Sequence, residues 1–191
     1  RLTGLTRLDI NGNHIADLSP LSNLTNLTWI HLHDANKDGA KWNLSALSNL
    51  TELTSLTLYG NKINDISALS QLTNLSLLDL EFNQVSDINP LIENTGISGA
   101  ISLKNNPLSN TALSTHISAL EARGIEVEYD EVPSDIIKIS NDGFENSLRI
   151  AIDIPNDILT PANTSGLVDL DLTNAGIIDL DVETLKAFTN L

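Results

Sequence analysis

The chain has 191 residues, 41% hydrophobic but only 4% aromatic, enough apolar side chain for a packed core that must be mostly aliphatic. A formal net charge of -15 and a pI near 4.3 repel phosphate backbones and make nucleic acid a poor partner. No stretch approaches the roughly 18 apolar residues of a membrane span, so no membrane insertion is expected in this segment, and the lack of cysteine excludes disulfides and thiolate chemistry.

Taken in chain order, the first 108 residues repeat themselves. Leu5-x-x-Leu8-x-Ile10-x-x-Asn13-x-Ile15-x-Asp17-Leu18 is one copy. Leu53-x-x-Leu56-x-Leu58-x-x-Asn61-x-Ile63-x-Asp65-Ile66 and Leu75-x-x-Leu78-x-Leu80-x-x-Asn83-x-Val85-x-Asp87-Ile88 are others. Leu2 to Leu24, Leu50 to Leu72 and Leu72 to Asn94 are one period each, whereas the copy between Leu24 and Leu50 carries an insertion. Ile101, Leu103, Asn106 and Leu108 mark a degenerate further copy.

The leucine alternation predicts a strand with the leucines turned inward and the residues between them outward. Asn13, Asn61 and Asn83 stand where the chain turns back, and a buried amide there can bond the backbone of neighbouring coils. Asp17, Asp65 and Asp87 suit the start of a short segment opposite the strand, where a carboxylate accepts backbone N–H groups. One coil alone buries little; stacked coils share one core.

The insertion, Asp34-Ala-Asn36-Lys-Asp38-Gly39, has oxygen ligands at alternate positions before a glycine, the first half of a calcium-loop pattern. Asp34, Asn36 and Asp38 are therefore candidate Ca2+ ligands. Ser45 stands where a complete EF-hand would need a bidentate Glu, so ligands from a neighbouring coil would have to finish the site. A polar surface loop is the plainer reading.

Beyond Leu108, Leu113, Ile117 and Leu120 predict a helix over 111–123, ended by Gly124, and 125–129 alternate like an edge strand. Residues 131–136 read as a linker. From 137 a second helical stretch leads to Leu167-x-x-Leu170-x-Leu172, again a repeat, with Ala175 in place of the turn asparagine. Residues 1–130 and 137–191 are thus expected to be two domains. Residues 130–191 carry 12 acidic and 3 basic residues, a balance that would suit a divalent cation or a basic partner.

The phrase Leu24-Thr25-Asn26-Leu27-Thr28, the Asn-x-Ile-x-Asp-Ile-Ser core and the period closely resemble the internalin-like class of bacterial leucine-rich repeats. The resemblance covers residues 2–108 well. It implies an α/β fold: a right-handed leucine-rich-repeat solenoid with a parallel β-sheet on its concave face, short 3₁₀ turns on the convex face and helical caps. The helix and strand at 109–130 resemble a carboxy-terminal cap, and residues 137–191 the amino-terminal cap and first coil of a second solenoid. The family mostly binds proteins, so the resemblance implies an extracellular or cell-surface recognition or adhesion module with a protein or glycan ligand.

On that fold the outward strand positions form three rows: Arg7, Trp29, Ser55 and Leu77; Asp9, His31, Thr57, Asp79 and Ser102; Asn11, His33, Tyr59, Glu81 and Lys104. Arg7, Asp9, Trp29, His31, His33, Tyr59, Asp79 and Glu81 are the candidate partner-binding residues, because exposed aromatics set among charges mark binding hot spots. His31 and His33 point the same way, with Asp9 and Asp79 flanking, so a pH-sensitive contact or a zinc site is also conceivable there. No nucleophile stands at motif spacing from His14, His31, His33 or His116, and no phosphate-cradling glycine loop occurs, so no enzyme is expected. The repeats start at Leu2 without a cap, which reads as a window from a longer chain. The alternative is a structural subunit that self-associates head-to-tail into a filament or surface layer.

Overall fold

The computed structural model describes residues 2–36, 39–40 and 42–130. The linker expected at 131–136 and the second domain expected at 137–191 lie outside the described residues.

Six three-residue strands, β1 (Arg7–Asp9), β2 (Trp29–His31), β3 (Ser55–Thr57), β4 (Leu77–Asp79), β5 (Ala100–Ser102) and β6 (Glu126–Glu128), form one parallel sheet in sequence order. The register puts Leu8, Ile30, Leu56, Leu78, Ile101 and Val127 side by side. This is a leucine-rich-repeat solenoid, one coil per strand. Parallel neighbours need a long crossover, and here the rest of each coil supplies it.

The crossovers return through short helical turns at Ser19–Leu21, Leu44–Leu47 and Ser67–Gln71. As the acidic positions predict, the carboxylates of Asp17, Asp65 and Asp87 accept the amides of Ser19, Ser67 and Asn89 at 2.8–2.9 Å. Asn43 does the same for Ser45. The fourth return differs from the 3₁₀ expectation: it is an α-helix, α1 (Asn89–Glu93), opened by Pro90 in its first turn.

Between sheet and returns lies one aliphatic core. Leu27, Leu53 and Leu75, then Ile30, Leu56 and Leu78, then Leu32, Leu58 and Leu80, form columns of buried side chains. Each is worth about 1.5–3 kcal/mol when fully buried, and only the coil above and below makes that burial complete.

The asparagine column joins the coils through polar bonds. The Asn61 amide nitrogen donates to the carbonyls of Leu58 and Tyr59 in its own coil and of Leu32 in the coil before. Its oxygen accepts the amides of Ala35 and Asn36. Asn83 repeats this against Leu58, Leu80, Asn61 and Ile63, and Asn106 against Leu80, Leu103 and Val85. Asn13 is exposed and bonds only Ile10 and Asn11 of its own coil. Asn94 stands one period after Leu72, at a position leucine holds in earlier coils; wholly buried, its amide nitrogen donates to the carbonyls of Leu69 and Leu72.

The cap helix expected at 111–123 begins with a π-turn at Ala112–His116 and continues as α2 (Ile117–Ala122). Gly124 ends it at φ +81°, and β6 completes the sheet. The Arg123 guanidinium reaches back to the end of α1, donating to the carbonyl of Asn94 at 2.6 Å and, at 3.3–3.5 Å, to those of Leu91, Ile92 and Ile97. The carbonyls of Leu91, Ile92 and Asn94 are acceptors at the C-terminal end of α1, so the cation satisfies them and meets the negative end of the helix dipole.

Candidate recognition face

Inward leucines force their neighbours outward, so the rows read from the sequence are physical rows. Arg7, Trp29, Ser55, Leu77, Ala100 and Glu126 are register partners, and so are Asp9, His31, Thr57, Asp79, Ser102 and Glu128.

Two ring systems cross the coils. The Arg7 guanidinium lies 4.5 Å over the Trp29 ring, and Trp29 stacks on His31 with centroids 3.7 Å apart. One row further on, His33 meets Tyr59 at 4.1 Å and Tyr59 meets Phe82 at 5.0 Å. The sheet thus brings all eight candidates, Arg7, Asp9, Trp29, His31, His33, Tyr59, Asp79 and Glu81, onto one surface with Phe82. Glu81 lies beside Asp79, where its amide bonds the Asp79 carboxylate at 3.0 Å. Asp9 is exposed at the outer edge and bonds the amide of Asn11.

Phe82 is not among the sequence candidates. It is half exposed, with φ +54°, and occupies the same place in its coil as Gly12, Asp34, Gly60 and Asn105, all in the left-handed region. Glycine or asparagine is the ordinary occupant of such a position, and an aromatic ring there is strained. The glycines of the first and third coils are the sequence signal that singles out Phe82.

Charge divides the face. Its later coils are acidic, with Asp79, Glu81, Glu126, Glu128 and Asp130, whereas its first coils mix Arg7, His31 and His33 with Asp9 and Asp34. Burial raises the Asp79 carboxyl above its ordinary range; the neighbouring Glu81 charge adds to this, while the Glu81 amide and the two histidines oppose it. Lys104 is held by Glu128 at 2.9 Å, and that bond raises its ammonium pKa. The Ser102 hydroxyl donates to Glu81 at 2.6 Å.

The described part of the insertion is less exposed than a polar loop should be. Ala35 and Asn36 are buried, and Asn36 donates to the carbonyls of Ala40 and Asn61. Trp42, a residue the repeat reading passes over, clamps the loop by donating its indole N–H to the Ile15 carbonyl at 2.8 Å. Of the candidate calcium ligands, Asp34 has its carboxylate 3.1 Å from His33 and packed on Gly60. Asn36 Oδ1 is buried without a hydrogen-bond partner, and Asp38 lies outside the described residues. The Lys62 ammonium sits against Gly39, so the loop already has a cation beside it. Among the described residues no three His, Cys, Asp or Glu side chains converge as a metal site would require.

Comparison with known proteins agrees with this architecture. The family described as Leucine Rich repeats (2 copies) matches residues 51–93. An internalin (inlF) from Listeria monocytogenes str. 4b F2365 is 32% identical in its solved structure, with a TM-score of 0.54 over 67% of this chain and 34% of that one. Internalin C2 (inlC2) of the same strain is 28% identical, with a TM-score of 0.55 over 82% of this chain and 61% of that one. The chain therefore spans about a third of the first relative and three fifths of the second. No curated protein matches.

Proposed function

From the premise that this chain is an internalin-like leucine-rich-repeat protein, we propose that it is a non-catalytic recognition module, acting at the cell surface or outside the cell, whose concave sheet face binds a protein. The observation that carries the reading is the run of rings and charges on that face. Arg7, Trp29, His31, His33, Tyr59 and Phe82 offer large, stiff contact area with little rotamer freedom left to lose. Half-exposed Leu77 and strained Phe82 add apolar surface that a folded monomer gains nothing by displaying.

A rigid backbone supports this role. The rows stand on strands whose inward side chains in β2 to β5, Ile30, Leu56, Leu78 and Ile101, are buried, so the outward side chains meet a partner preorganised. The test is capture of a partner by the immobilised chain, followed by the same capture with Trp29→Ala/Tyr59→Ala. Loss in that variant, with capture kept by the convex-face variant Gln71→Ala, supports the reading. Equal capture by all three overturns it, and capture that survives protease but not periodate moves the ligand from protein to glycan.

A further inference from the structure

The later coils of the face hold a depression of about 300 Å³. Leu77 and Ala100 give it an apolar floor, and Asp79, Glu81, Glu126 and Glu128 stand around it. We propose that this depression receives a lysine or arginine side chain of the partner protein, its stem along Leu77 and Ala100 and its cation among the carboxylates. This rests on the reading of the sheet face as the binding surface and names what one part of it selects.

Two observations carry it. First, the charge is uncompensated. Among the described residues Glu128 alone of the four acids forms an ion pair, with Lys104, and Glu126 is exposed without one. Second, the spacing suits an organic cation. Glu126 stands two strands from Leu77, about 10 Å away at ordinary sheet spacing, and no three acids converge tightly enough for a bare metal ion. A guanidinium or ammonium on an apolar stem spans such a site, because its methylenes can lie on hydrocarbon while its N–H groups reach separated carboxylates.

The depression is also where the face sacrifices stability. Asp79 is half buried beside Glu81 without an internal cation in contact, an arrangement that folding alone does not favour. An incoming cation relieves it and is steered there by the same field.

The test is amide chemical-shift mapping on the full chain with three peptides: acetyl-Ala-Lys-Ala-amide, acetyl-Ala-Arg-Ala-amide and the norleucine analogue, which keeps the stem and lacks the charge. The expected result is shifts at Leu77–Glu81, Ala100–Ser102 and Glu126–Glu128 with a cationic peptide and none with norleucine. The stronger of the two cationic arms identifies the preferred side chain. Glu126→Gln should weaken binding about fivefold or more, while Glu52→Gln, the same charge change away from the depression, leaves it unchanged. Glu126 is exposed, so its variant folds. Equal shifts with norleucine, equal weakening by Glu52→Gln, or no localised shift with either cation overturns the proposal. Partner capture that is still lost in Trp29→Ala/Tyr59→Ala would then leave the broader reading standing.

Discussion

Replacing Asn61 by alanine should be among the most damaging single changes in the described coils. The side chain is wholly buried and forms five hydrogen bonds, three of them to the preceding coil. Its removal orphans the amides of Ala35 and Asn36 and the carbonyl of Leu32. Tyr59 and Leu58 keep other partners, Asp34 N–H and the Asn83 amide. Each buried group left unbonded costs about 1–3 kcal/mol, so three give about 3–9 kcal/mol. Relaxation and water entry into the opened coil should bring the loss toward the lower half of that range. Asn13 occupies the same place in its coil, yet it is exposed and bonds only its own coil. Asn13→Ala should therefore cost no more than about 1 kcal/mol. Urea unfolding followed by fluorescence of Trp29 and Trp42, with circular dichroism to check that the transitions coincide, reads both values. Equal losses at Asn13 and Asn61 would refute the idea that the amide works by joining coils.

Other expectations follow from the same geometry. Gly99→Ala should cost several times more than Gly12→Ala: both glycines lie near φ +68°, but a Cβ at Gly99 would run into the Ser76 carbonyl while one at Gly12 meets nothing, and thermal melts would separate them. Arg123→Met should lower stability by about 1.5–3 kcal/mol through the orphaned carbonyls at the end of α1, measured by urea unfolding. Phe82→Gly should hold or raise stability by about 1 kcal/mol, since it relieves a left-handed aromatic residue, yet weaken partner capture; a large stability loss would show that the ring is structural. Two aspartates should respond to pH with opposite sign. The Ser67 amide, with its hydroxyl, lowers the Asp65 pKa, so its ionised form supports the fold at neutral pH and that support fades as pH falls below the carboxylate range; Asp65→Asn should be less stable than the parent at pH 7, with the gap closing in acid. Burial raises the Asp79 pKa, so its ionised form costs stability as pH rises; Asp79→Asn should be the more stable protein at pH 7, and the gap should again close in acid. Asn36 Oδ1, buried and unpartnered, is the atom through which calcium would join the insertion. Heat on titration with millimolar calcium, lost in Asp34→Asn, supports that site, and no heat removes it.

The parts of this fold that repeat were legible in the sequence. Leucines at one period set which side of each strand is buried, and the three outward rows followed from that, because one residue of slip would have reversed every side chain. Asparagine at the turn announced a polar column, since its amide offers two N–H donors and a separate acceptor oxygen to neighbouring backbones. What does not repeat was hidden. Trp42 and Arg123 act through single long-range bonds that no period marks. Gly99 lies in the one-residue extension that keeps β5 in register, and its close approach to the Ser76 carbonyl shows only in three dimensions. Phe82 escaped because it lies just past the strand, where the row argument stops, and its position is defined by backbone angle instead of side-chain alternation. The acidic depression depends on β6, which the repeat phrase does not include: Glu126 and Glu128 become neighbours of the sheet only through the cap.

The most direct measurement of the central claim is a hydrogen-exchange footprint of the chain with and without its captured partner. Slowed exchange should fall on 7–11, 29–33, 55–59 and 77–82, with the returns at 19–21, 44–47 and 67–71 unchanged. Slowing confined to those returns, with the strand segments untouched, would contradict recognition through the sheet face.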